Sequence, residues 1–112
     1  MKIKTTTTPT FDREYKRLKK KYKSLPDDLL LFERELTEKP DIGIDLGGNI
    51  RKIRIAIKSK NKGKAGGARI ITYSLLANIS EMEILLITIY DKGEQDSISD
   101  SEIKQIIRDN GF

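Results

Sequence analysis

The sequence predicts an α+β fold: a small antiparallel sheet with an N-terminal helical hairpin packed on one face and a short C-terminal helix. Three observations predict it. Phe11, Tyr15, Leu18 and Tyr22, and then Leu29, Phe32 and Leu36, recur at helical spacing. Ile53, Ile55 and Ile57 alternate with Lys52, Arg54 and Ala56, the period of a half-buried strand. The chain has 112 residues, 37% hydrophobic and 35% charged, which fits a single domain over residues 1–112 with one core.

Ile3-Lys4-Thr5-Thr6-Thr7 opens the chain as a short β-branched run, the mark of an edge strand. Thr8 then places a capping hydroxyl before Pro9 at the first helical position, with Asp12 and Glu14 favourably set in the early turns. Arg13, Lys16, Arg17, Lys19, Lys20, Lys21 and Lys23 fill the rest of that helix around its apolar face. Ser24 with Asp27 three residues on predicts a capping box for a second helix, which Pro40 stops. The short Lys23–Pro26 connection makes the two an antiparallel hairpin. Asp41 to Asn49, with Gly43, Gly47 and Gly48, reads as a loop.

The strand around Ile53 sets Lys52 and Arg54 on one face. Lys58 to Gly67 is a Lys/Gly-rich connection into a strand from Ala68 to Leu76, with Arg69, Ile71 and Tyr73 on one side. Met82 to Tyr90 is nearly all apolar and reads as central in the sheet. Ser99 with Glu102 repeats the capping-box signal, and Ile103, Ile106 and Ile107 give the terminal helix its apolar face. Helices gathered on one face leave the other open, where Lys52, Arg54 and Arg69 are expected to form a concave basic surface suited to a phosphodiester chain.

Composition narrows the chemistry. With no Cys and no His there is no disulfide framework, no zinc-finger pattern and no histidine-based triad, so acid-base work falls to Lys, Arg, Tyr, Asp or Glu. Apolar stretches such as Ile84 to Ile87 fall far short of a membrane span, and the first residues lack a signal-peptide apolar region; the expectation is a cytoplasmic protein with no membrane partner. The formal charge of +5 is unevenly spread. Residues 46–80 hold eight basic and no acidic side chains, whereas residues 81–112 hold three basic and eight acidic. A cation block attracts phosphates and makes binding salt-dependent, which points to nucleic acid; a lysine-rich solvated loop gives the same pattern without a partner.

Four stretches in order carry a resemblance: Lys39-Pro40-Asp41-Ile42-Gly43, Ile50-Arg51-Lys52-Ile53-Arg54, Gly63 to Tyr73, and Leu85 to Lys92. The chain resembles the RelE/HigB-type toxins of bacterial type II toxin-antitoxin systems, within the RelE/ParE superfamily. The resemblance implies a RelE-like fold, similar to that of microbial ribonucleases. It also implies a ribosome-dependent endoribonuclease that cuts translated mRNA and is held inactive by a cognate antitoxin, with no metal or other cofactor. Such cleavage proceeds by attack of a ribose 2′-hydroxyl on the adjacent phosphorus. The site needs a base for that hydroxyl, cations for the phosphorane and an acid for the leaving oxygen.

By matching positions, Lys52 is the base candidate and Arg54 its cationic neighbour, Arg69 the phosphate-binding arginine and Lys92 a second catalytic cation. A lysine among other cations has its charged form disfavoured, whereas arginine stays protonated and clamps phosphate oxygens. Arg51, Lys58, Lys60, Lys62 and Lys64 are expected to contact RNA by general attraction, and Tyr90 by stacking on a base. Gly93 to Ser101 holds neither the Tyr nor the His that several members carry there, which leaves the leaving-group acid unassigned. The antitoxin is expected to be acidic or to carry an acidic segment. The HigB-like character implies a helix-turn-helix domain on it, so that operator DNA is bound only through the complex. A ParE-type gyrase inhibitor and a non-catalytic nucleic-acid-binding module stay open as alternatives.

Overall fold

Thr8 decides where the first helix begins. In the computed structural model, which describes residues 2–112, its side chain accepts a hydrogen bond from the Phe11 amide at 3.1 Å and donates one to the Ile87 carbonyl at 2.7 Å. One hydroxyl thus caps α1 (Pro9–Lys21) and ties it to the strand beneath. Around it the described residues run β1 (Lys2–Thr7), α1, α2 (Leu25–Glu38), β2 (Ile44–Gly47), β3 (Ile50–Ile55), a single 3-10 turn at Lys58–Lys60, β4 (Ala68–Asn78), β5 (Glu81–Asp91) and α3 (Asp100–Asp109).

The strands form one five-stranded sheet in the order β1-β5-β4-β3-β2. β1 is the expected edge strand, but it pairs parallel to β5, with Thr5 opposite Ile84, so the sheet is mixed rather than wholly antiparallel. The other edge is β2, in the stretch that reads as a loop. β2 and β3 form a tight hairpin, Gly47 opposite Ile50, whose two turn residues Gly48 and Asn49 both have positive φ, at 60° and 66°. Two left-handed residues in succession match the twist of paired strands, and Gly followed by Asn can adopt them.

The hairpin of α1 and α2 covers one face. Phe11, Leu18, Leu25, Phe32 and Leu36 are buried there against Ile53, Ile55, Ile70, Ile84, Leu86 and Ile89. Each such side chain contributes about 1.5–3 kcal/mol by leaving water. A second cluster lies on the opposite face, where Ile103 of α3 packs with Ile71, Leu85, Ile87 and Tyr90. The expected gathering of helices on one face is therefore corrected. An amphipathic stripe requires that α3 bury Ile103 but does not say against which side of the sheet. The open basic surface survives only over the part of this face that α3 leaves uncovered. Ser99 caps α3 as expected, accepting from the Glu102 amide at 3.1 Å. Ser24 does not cap α2 with its side chain. Its hydroxyl instead donates to Asp28 at 2.7 Å and accepts from the Ser59 amide at 2.8 Å, fastening the loop after β3 to the helix.

Candidate nucleic-acid site

The pairing register builds the site. On the face opposite the helical hairpin, Arg54 of β3 lies across from Arg69 of β4, and Arg69 across from Tyr90 of β5. Lys52 occupies the same face one step along, opposite Ile71. Three separated sequence positions thus form one row across the sheet, with Lys52 beside it.

Two like charges directly opposite each other in an antiparallel pair repel. Arg54 is exposed to water; Arg69 is only 5% exposed and needs another remedy. Its guanidinium donates to the carbonyls of Lys64 at 3.2 Å, Ala65 at 3.2 Å and Ala68 at 3.3 Å. These are dipoles without formal charge, and among the described residues no carboxylate forms an ion pair with Arg69. The guanidinium is held in place while its charge is left over. Gly67 makes the arrangement possible, since a Cβ there would stand 2.1 Å from the Ile55 carbonyl oxygen.

Tyr90 is 5% exposed, so its ring offers no free face on which a base could stack. Burial pushes its phenol above the ordinary value; Arg69, its partner in register, opposes this and Asp96 adds to it. Lys92 donates to the Asp96 carboxylate and to the Asp96 carbonyl, each at 2.6 Å. The Lys92 hydrogen bond holds Asp96 below the usual carboxylate range, and Arg69 adds a smaller pull the same way. Lys92 is therefore beside the cluster and already engaged.

Lys52, Arg54 and Lys64 border a common cavity of about 410 Å³ at the edge of β3, where β2 pairs only as far as Lys52. Lys58 and Lys62 are exposed around the same loop. Two of the expected RNA-contacting residues lie elsewhere. Arg51 alternates onto the helical-hairpin face and donates to the Asp41 carbonyl at 2.8 Å, with Asp45 3.8 Å away. Lys60 also faces that side. Its side chain is 9% exposed, its ammonium lies 2.6 Å from Asp91 Oδ1, and it sits 5.5 Å above the centre of the Tyr22 ring.

Asp91 escapes the sequence reading. It is 1% exposed and accepts from Lys60, from the Tyr22 hydroxyl at 2.5 Å and from the Gly93 amide at 2.9 Å. Burial alone would raise its pKa; the Lys60 and Tyr22 hydrogen bonds and the Gly93 amide outweigh it and hold the carboxyl at about 2. The signal that could find it is a lone acid closing an otherwise apolar central strand, which demands a buried partner.

The arrangement can bind an oxyanion against Arg69 and Arg54 and place Lys52 alongside it. Among the described residues no group of three or more His, Cys, Asp or Glu side chains could hold a metal ion, and no helix is long and apolar enough to cross a membrane. A family model described as the RelE toxin of the RelE/RelB toxin-antitoxin system matches residues 8–109, a span that begins at the Thr8 cap and takes in the whole Arg54–Arg69–Tyr90 row. This chain belongs to the RelE toxin family: it is the toxin of a toxin-antitoxin pair, and its partner is a cognate antitoxin.

Proposed function

We propose that the toxin is an mRNA endoribonuclease of HigB-like character that acts on the translating ribosome in the cytoplasm and cleaves without a metal. The observation that carries this reading is the leftover charge at Arg69, in register with Arg54 and beside Lys52. In the proposed reaction the ribose 2′-oxygen bonds to the neighbouring phosphorus and the bond from phosphorus to the 5′-oxygen breaks. Lys52 takes the 2′-hydroxyl proton, Arg69 and Arg54 bind the charge that develops on the phosphorane oxygens, and the departing 5′-oxygen takes a proton from water to become the 5′-hydroxyl. Tyr90, kept protonated by burial, supplies a hydroxyl donor beside Arg69 in place of a stacking surface. Lys92, its charge met by Asp96 at 2.6 Å, fastens the segment after β5 at the rim of the site. Lys58, Lys62 and Lys64 draw in phosphates without reading sequence.

The antitoxin inhibits by bringing acidic side chains to this face, and its helix-turn-helix domain carries the complex to operator DNA. Mapping cut sites on a translated message tests the reading. The expected products are fragments with a 2′,3′-cyclic phosphate on one side of the cut and a 5′-hydroxyl on the other. An intact message together with inhibited DNA supercoiling would replace this reading with gyrase inhibition. Salt-sensitive RNA binding with neither effect would leave a binding module.

A further inference from the structure

Residues 61–67 cross from the 3-10 turn to β4, and this short segment supplies two of the three carbonyls that hold Arg69. By sequence it should be loose, since it contains Gly63, Gly66 and Gly67 and exposes Lys62 and Lys64 to water. Its feet stand on Asp91, the last residue of β5, and on Lys92, the residue after it. At one foot the Lys60 ammonium is bound to the Asp91 carboxylate; at the other the Gly67 carbonyl accepts from the Lys92 amide at 3.0 Å. Ser24 and Asp28 hold Ser59 and Lys58 to α2, so the Asp91 contact is the last fixed point before the arch begins. Tyr22, the residue after α1, closes the Asp91 pocket.

We propose that Asp91 is a positioning residue for Arg69: with Lys60 and Tyr22, on the far side of the sheet, it fixes the arch whose Lys64 and Ala65 carbonyls aim the guanidinium. The inference rests on the nuclease reading only for its consequence in rate. A carbonyl that moves by an ångström no longer opposes the Arg54–Arg69 repulsion, and the guanidinium swings away from the phosphate it should meet. Misplacement of this size is costly to catalysis without touching general RNA attraction, which comes from exposed lysines. Asp91 itself touches no substrate, since its carboxylate faces the helical hairpin.

The experiment uses the full-length toxin released from its antitoxin, in wild-type form and as Asp91→Asn, Lys60→Met and the double variant. Two readouts are taken: the ¹⁵N–¹H signals of the Arg69 guanidinium, and single-turnover cleavage of ribosome-bound mRNA across message concentrations. The wild type should show restrained Arg69 Nη–H signals. Asp91→Asn should lose them and cleave on the order of tenfold more slowly at saturating message, with half-saturation within about twofold of wild type. The double variant separates positioning from folding, because removing both charges leaves no unpaired buried ion and should regain thermal stability. It should nevertheless keep the slow rate and the unrestrained guanidinium. Recovery of both along with stability would overturn the proposal, and so would wild-type Arg69 signals in a folded Asp91→Asn protein. If the wild type cuts no RNA the nuclease reading fails, and the Arg69 signals alone then decide whether the clamp exists.

Discussion

Tyr90 and Asp91 are consecutive, and the sheet sends them to opposite sides, where each meets a nearly buried cation. Asp91 meets Lys60, and a carboxylate 2.6 Å from the ammonium cancels its charge. Tyr90 lies opposite Arg69, whose hydrogen bonds go to carbonyl dipoles at 3.2–3.3 Å and which has no carboxylate within ion-pair distance among the described residues. The first arrangement is closed: every strong group has a partner, and the pocket binds nothing further. The second is fixed in geometry and unfinished in charge, which is what an anion site requires. Burial alone therefore does not separate a structural cation from a functional one. The partner's formal charge does.

The most severe way to break the contrast is from the closed side. Asp91→Ala leaves Lys60 buried without its counter-ion and should cost roughly 3–5 kcal/mol. Urea unfolding should show a lower midpoint with an unchanged slope, and a loss below about 1 kcal/mol would mean that water already reaches the pair. From the open side, Arg69→Ala should lower cleavage by roughly 10²–10³-fold, as loss of one preorganised donor to a developing charge does. Arg69→Lys should not restore it, since an ammonium cannot span the carbonyls and a phosphate together. Toxicity that survives Arg69→Ala in a folded protein would remove Arg69 from the site.

Much of this contrast is legible in the amino-acid sequence, and the limits have physical causes. The alternation of Ile53, Ile55 and Ile57 correctly places Lys52 and Arg54 on one face, because strand period 2 is rigid. Thr8–Pro9 and Ser99–Glu102 mark helix starts that the hydrogen bonds confirm. Ser24 carries the same signal and does something else, since a hydroxyl facing Ser59 and Asp28 has better partners than an exposed amide. β2 escapes notice because Ile44-Asp45-Leu46-Gly47 is too short to show a period, although Gly48-Asn49 is a legible hairpin turn. Within the loop after β3, Lys58, Lys60, Lys62 and Lys64 look alike. Only the long-range approach of Asp91 distinguishes Lys60 from the others, and no local pattern reports a contact of that separation.

Acid should probe the closed pocket without a mutation. The Asp91 carboxyl sits at about 2 in the fold against 3.8 for an ordinary aspartate, so the unfolded chain takes up its proton first. This contribution is fully present above about pH 4 and is lost as pH falls through the folded value, amounting to about 2 kcal/mol. Asp91→Asn should flatten the stability profile over that acid range, measured by denaturant unfolding at successive pH values. An unchanged profile would assign the acid sensitivity to the exposed carboxylates instead.

The smallest effect tests the contrast at its finest grain, between two lysines two residues apart. Lys62 is exposed and has no ion-pair partner among the described residues, whereas Lys60 is neutralised by Asp91. Each phosphate contact by a free cation releases condensed counter-ions, so Lys62→Ala should lower the dependence of log affinity on log salt by about 0.7 for single-stranded RNA. Lys60→Met should leave that slope alone, because a lysine already paired inside the protein contacts no phosphate and so displaces no counter-ions. Anisotropy of a 2′-O-methyl RNA, which cannot be cut, measures the slope apart from catalysis, and comparison within the folded population removes the stability difference. Equal slopes for the two variants would mean that the Lys60–Asp91 pair opens when RNA arrives. The closed side of the sheet would then belong to the binding surface as well.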